Sequence, residues 1–224
     1  MSFSILTTCV VALSIVSCAA TCFVIHNSDK KEADSKIGMI LPWNWKQGVC
    51  CAAIISTMLG TFCMYYFYYQ VAALEFIKRE MVLAFLWPIT LSDIKQMRIP
   101  NKLLLTGLVA RVILVPIEFL LSNADALLSL KSAGIAALFA LIVTIGCALI
   151  SKGSLGMGDI KLICLLGLFL GTEGLFYASF LSILIAFFAA IGLLLFKKKK
   201  RKDTIPFAPY ILAGTILSFI LSGT

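Results

Sequence analysis

The sequence predicts an all-α, polytopic integral membrane protein, and three observations carry that expectation. Of its 224 residues 61% are hydrophobic and 13% charged, with a mean hydropathy of +1.02, more apolar surface than a soluble core of this length can bury. The apolar residues fall in runs close to the roughly 20 needed to cross a bilayer. The basic residues behind the net charge of +8 gather in short segments between those runs. That is the pattern of topology-determining charge, and it points to the lipid bilayer and away from nucleic acid as partner.

Eight spans are expected in order. Residues 4–25 form the first; no basic residue precedes them, which argues for a retained helix against a cleaved signal. Residues 26–46 are a polar loop of mixed charge, and His26, the single histidine, reads as an interfacial residue. Trp43 and Trp45 mark the entry to a second span, 48–71, whose Tyr65, Tyr66, Tyr68 and Tyr69 mark the other interface. A charged, balanced segment, Glu75 to Glu80, leads into a third span from Met81 to Ser92, kinked by Pro88. Asp93 follows, with Lys95 and Arg98 at the aqueous edge. Pro100 ends the helix by restricting Ile99, and Asn101 is positioned to cap the next.

The fourth span, 102–121, holds Arg111 and Glu118, for which snorkelling or pairing inside the bundle is the simplest account and a role near a site the sharper one. Residues 122–131 are expected as a loop and 132–150 as the fifth span. A short sixth span, 160–170, ends at Gly171-Thr172-Glu173-Gly174, and a seventh covers 175–196. Residues 197–203 form a basic loop, most simply a topological lock. The eighth span, 205–221, begins irregularly at Pro206 and Pro209. Two units follow, residues 1–75 with two helices and 76–224 with six.

Between the fifth and sixth spans lies Ser151-Lys152-Gly153-Ser154-Leu155-Gly156-Met157-Gly158-Asp159-Ile160-Lys161. It sets one carboxylate at the mouth of an apolar helix, where an acid is costly and functional by default. Gly156 and Gly158 flank Met157 and open the turn to positive φ and to the backbone of an extended peptide, with Lys161 beside it. Acid catalysis of peptide hydrolysis needs a second carboxylate. Counting Lys and Arg on alternating sides puts residues 26–46, 93–102, 151–161 and 197–202 on one, basic face, expected to be cytoplasmic. Asp93 and Asp159 then share that face, while Asp29, Asp34, Asp125 and Asp203 fall in loops.

Three elements in this order resemble the type IV prepilin peptidases and archaeal preflagellin peptidases, which are GxGD-type membrane aspartyl proteases. They are Asp93 with Ile99-Pro100-Asn101, Gly156-Met157-Gly158-Asp159-Ile160-Lys161, and Ile205-Pro206-Phe207-Ala208-Pro209. The resemblance spans residues 81–221. It implies a six-helix core that removes a basic leader from prepilin-like precursors at the cytoplasmic face of a prokaryotic cell membrane, with Asp93 and Asp159 as the catalytic pair. Long members of that family carry a cytoplasmic insertion with two Cys-x-x-Cys pairs and methylate the new N-terminus. The 26–46 loop holds no cysteine, which places the chain nearer the short, peptidase-only members and argues against methyl transfer.

The eight cysteines lie in apolar runs without Cys-x-x-Cys spacing and read as small buried hydrophobes. No metal and no cofactor is expected, since the expected chemistry activates water with one carboxylate and polarises the scissile carbonyl with its protonated partner. Helix dipoles assign the charged role to Asp159, at a helix N-terminus, over Asp93, near a C-terminus. The competing class is a non-catalytic transporter or assembly subunit whose two acids bind a cation or relay protons. It leaves the glycine turn and the proline-rich entry to the last span unexplained.

Overall fold

The computed structural model describes residues 73–121, 123–150, 156–195 and 206–221. The two N-terminal spans, His26 and the basic loop at 197–203 lie outside them. Five helices result: α1 (Ala73–Gln96), α2 (Asn101–Leu121), α3 (Asn123–Ile150), α4 (Met157–Leu195) and α5 (Ala208–Leu221). The protein is a helical membrane protein. Helices α2, α3 and α4 are long and apolar enough to cross a membrane. Their outer faces carry Val112, Ile142, Phe180 and Phe187 in the open. Helices apolar all round that still expose most of their side chains use lipid as solvent.

The count of eight spans is not what the described residues show, and each difference has a local cause. Helix α1 begins at Ala73, so Glu75, Lys78, Arg79 and Glu80 are helical, and Lys78 and Glu80 are buried where a charged connecting segment was expected. Partners within the bundle make that burial affordable. The loop expected at 122–131 is helix from Asn123 onward, Asp125 included, because Ala-Asp-Ala-Leu-Leu-Ser-Leu contains good helix formers and no breaker. The sixth and seventh spans meet without a loop in α4, which breaks at Gly171 (φ 68°, ψ −170°), where the sequence ended the sixth. That backbone region is essentially open to glycine alone.

The segment after the break runs back along α5. Tyr177 shares a small cavity with Ser218 and Phe219, and Ser182 meets Gly214 so closely that a Cβ there would collide with the serine. Helix α5 in turn begins against Asp93. The core lies among α1, α4 and α5, built on Leu86, Ile89, Leu162, Leu166, Ile211 and Phe219. Pro88 is fully buried inside α1.

Candidate active site

Three chain ends meet at one end of the bundle. Asp93 lies in the last turn of α1 and is 6% exposed. Just beyond it the backbone closes through Met97 N–H donating to the Asp93 carbonyl at 2.9 Å, with Met97 itself at φ 51°. Ser92 Oγ donates to the Arg98 carbonyl at 3.1 Å and fixes the link to α2. Lys95 is half-exposed, Ile99 and Pro100 are half-buried, and Asn101 opens α2 in the open. Asp159 stands in the first turn of α4, half-buried, with Gly156 as the residue whose carbonyl accepts its N–H at 3.0 Å. The two carboxylates, 66 positions apart in sequence, are close enough to repel one another.

The third end is the start of α5. Ala208 N–H donates to Asp93 Oδ2 at 2.9 Å, and Thr90 Oγ1 reaches the Ala208 carbonyl at 3.4 Å. Pro206 and Phe207 precede the helix, the Phe207 carbonyl accepts from Tyr210 and Ile211, and Pro209 sits in the first turn, where a missing N–H costs nothing. The irregular entry seen in the sequence is thus what turns a free helix N-terminus towards Asp93. It also removes the dipole asymmetry expected between the acids. Asp93 is near the C-terminus of its own helix but faces the N-terminus of another, so both carboxylates lie at positive helix ends.

Three further expectations are corrected by the geometry. Neither Gly156 nor Gly158 uses positive φ; among the described residues only Gly171 and Met97 do. The space beside these glycines is already occupied within the protein. A Cβ on Gly158 would lie 2.9 Å from Ile99 Cβ, and one on Gly156 would lie 3.0 Å from Asp159 Oδ2. Gly158 therefore lets α4 dock on the α1–α2 link, and Gly156 makes room for the carboxylate. Met157 is exposed at 71%. Asn101 does not spend its side chain on a cap: the Pro100 carbonyl receives Leu104 N–H, and Asn101 Oδ1 accepts from Lys161 Nζ at 3.1 Å. That bond ties the starts of α2 and α4 together.

Reading along the chain missed the Ala208 amide, because an N–H has no side-chain signature; the Pro-x-x-Pro entry was its only trace. The site amounts to two carboxylates near enough to repel, one held by a backbone donor, at a mouth rimmed by Lys161 and Met157.

A sequence model of the type IV leader peptidase family matches residues 81–194, just over half the chain. The chain belongs to that family. Among curated proteins it is similar to a prepilin leader peptidase/N-methyltransferase of Bacillus subtilis (strain 168), at 31% identity over 151 residues, covering 66% of this chain and 57% of the relative. It is also similar to one of Aeromonas hydrophila, at 30% over 193 residues, covering 79% of this chain and 64% of the relative. The chain thus spans roughly three fifths of these relatives' length. No solved structure was found to match it. Membership of the leader peptidase family joins Asp93 and Asp159 within a single matched stretch that also contains the Ile99-Pro100-Asn101 link.

Proposed function

We propose that this protein is an aspartic endopeptidase that removes the leader from type IV prepilin-like precursors, working at the cytoplasmic face of the cell membrane. The observation that carries the reading is the meeting of Asp93 and Asp159, brought from α1 and α4 into mutual repulsion at one end of the bundle. Like charges close enough to repel lower their energy by holding one proton between them, which leaves one acid and one base.

The base takes a proton from water as the oxygen attacks the scissile carbonyl carbon. The acid gives its proton to the carbonyl oxygen, producing a neutral tetrahedral diol. Collapse of the diol returns a proton through the pair to the leaving nitrogen and breaks the C–N bond, with no covalent enzyme intermediate. Because both carboxylates lie at positive helix ends, the helix dipoles assign neither acid a fixed role at the outset.

Exposed Met157 and Lys161, at the rim, are the side chains an arriving peptide meets first. The basic segments at 93–102 and 151–161 support a cytoplasmic orientation of this end. The proposal covers peptide hydrolysis alone, because the 26–46 segment lacks the cysteine pairs associated with methyl transfer. A carrier that binds a cation through the same acids would turn their lone pairs to the ion, whereas Asp93 Oδ2 is engaged by Ala208 N–H.

The test is co-expression with candidate precursors bearing a basic leader followed by an apolar segment, with N-terminal sequencing of the product. A single new N-terminus, generated by this chain and lost in Asp93→Asn, is expected. Intact precursor across all candidates in membranes that contain correctly inserted protein would overturn the reading.

A further inference from the structure

At the break at Gly171, two backbone groups that a continuous helix would pair with each other are taken up by side chains from other helices. In an unbroken helix Thr172 N–H would donate to the Leu168 carbonyl. With ψ of −170° at Gly171 the following peptide plane is turned over, and Thr172 N–H donates instead to Ser132 Oγ of α3 at 3.0 Å. The Ser132 hydroxyl also lies 3.1 Å from Thr172 Oγ1. The Leu168 carbonyl accepts from Arg111 Nε of α2 at 2.6 Å.

Arg111 is itself buried at 3% exposure and held by its guanidinium to Glu118, which also binds Lys78 at 3.1 Å. Its Cζ lies over the Phe169 ring, 6.0 Å from the centroid. A Cβ on residue 171 would come within 2.7 Å of Ser132 Oγ. Glycine at the break and serine opposite it therefore fit as a set.

We propose that Arg111 and Ser132 are positioning residues, which by holding the two severed halves at Gly171 fix the angle at which residues 157–170 deliver Asp159 to Asp93. The inference rests on the peptidase reading of those two acids. Apolar contacts along this segment, such as Leu165 against Gly107 and Gly167 against the Ala136 backbone, set its distance from α2 and α3. They resist tilt and sliding less well than directional bonds do.

The directional bonds lie at its ends, Lys161 to Asn101 near the acid and the Arg111 and Ser132 contacts at the break. From Gly171 to Asp159 the helix is a lever of about 18 Å, so a tilt of about 5° displaces the carboxylate by about 1.5 Å. Misplacement by about 1 Å in an active site is enough for a hundredfold loss.

The experiment compares Ser132→Ala, Ser132→Thr and Arg111→Lys with wild type in membranes, at equal amounts of inserted protein, over a range of pH. Lysine keeps a charge for Glu118 but cannot serve Leu168 as well. The expected result is a fall in kcat of about tenfold for Ser132→Ala and more for Arg111→Lys, with KM changed less than threefold, and recovery in Ser132→Thr. The two apparent pKa values of the pH profile should also draw together by at least about half a unit, because carboxylates moved apart couple less.

A contact that serves only stability would lower the amount of inserted protein and leave the profile in place. Wild-type kcat, an unchanged profile, or failure of Ser132→Ala to insert would each overturn the inference. If Arg111→Lys does not accumulate, Ser132→Ala decides alone. Should wild type itself process no precursor, the peptidase reading falls and the positioning inference with it, whereas an active wild type with unaffected variants overturns the positioning inference alone.

Discussion

The two ends of α1 hold charge in opposite ways. Near its start, Lys78 is bonded to Glu75 at 2.6 Å and Glu118 at 3.1 Å, and Glu118 also holds Arg111, so that opposite charges close on one another inside the bundle. Near its end, about 22 Å away along the helix axis, Asp93 is close enough to a second carboxylate, Asp159, to repel it. A closed ion pair is at an energy minimum and does no chemistry, and removing one partner strands the other. Two acids held together are above theirs unless they share a proton, and a shared proton is what general acid–base catalysis moves. The end whose charges are paired is thus built for stability, and the end where two acids repel is the one the proposed function makes reactive.

The largest effect should come from Asp93→Asn and Asp159→Asn. Each should lower precursor processing by roughly a thousandfold or more, and the double variant should add little, since groups that act as a unit are strongly non-additive. Neither should lower stability, because asparagine removes repulsion and keeps an acceptor for Ala208 N–H. Processing and chemical unfolding in micelles check the two halves of that statement. Retained cleavage, or unfolding on a par with Glu118 variants, would erase the distinction between the ends.

At the other end Glu118→Leu leaves Arg111 and Lys78 without their shared carboxylate. The cost should be about 3–5 kcal/mol, as for other broken buried pairs, read as a drop in the unfolding midpoint. A fall below about 1 kcal/mol would mean the network is solvated after all.

Gly158→Ala should come next. Its Cβ would press on Ile99 Cβ at 2.9 Å, lifting the first turn of α4 off the α1–α2 link, and kcat should fall about ten- to a hundredfold. Gly134→Ala, where no atom lies within 4 Å of the new Cβ, is the matched control and should be near neutral. A rise in KM with kcat intact would return Gly158 to the substrate-approach role expected from the sequence.

The smallest effect should be at the rim. Lys161→Ala and Asn101→Ala each remove one exposed hydrogen bond, about 0.5–1.5 kcal/mol, and in a double-mutant cycle the second change should cost little once the first is made. Full additivity in processing rates would show that the pair does not join α2 to α4.

What could be read along the chain was whatever local chemistry writes into neighbouring residues. The spans α2 and α3 follow from apolar runs, the break in α4 from Gly171 to Gly174, and the candidate acids from a carboxylate beside glycines and another before Ile99-Pro100-Asn101. Charged residues misled the reading at one segment. The segment Glu75 to Glu80 looked like a boundary and is helix, because its partners are residues as distant as Glu118 and Ser129. Arg111 and Glu118, seven residues apart within one helix, bind each other, as the simplest account of two charges inside a span allowed.

The sequence by itself determined that the chain lives in a membrane, roughly where it turns, and which two aspartates stand at helix ends. Those properties depend on composition and on spacings of a few residues. Only the tertiary structure decided what each of those ends faces. The Ala208 amide reaches Asp93 across 115 positions, Arg111 reaches the Leu168 carbonyl across 57, and Ser132 reaches Thr172 across 40. Contacts of that kind are made by backbone groups that every residue carries, so no residue type announces them. Packing of the helices selects which of them meet.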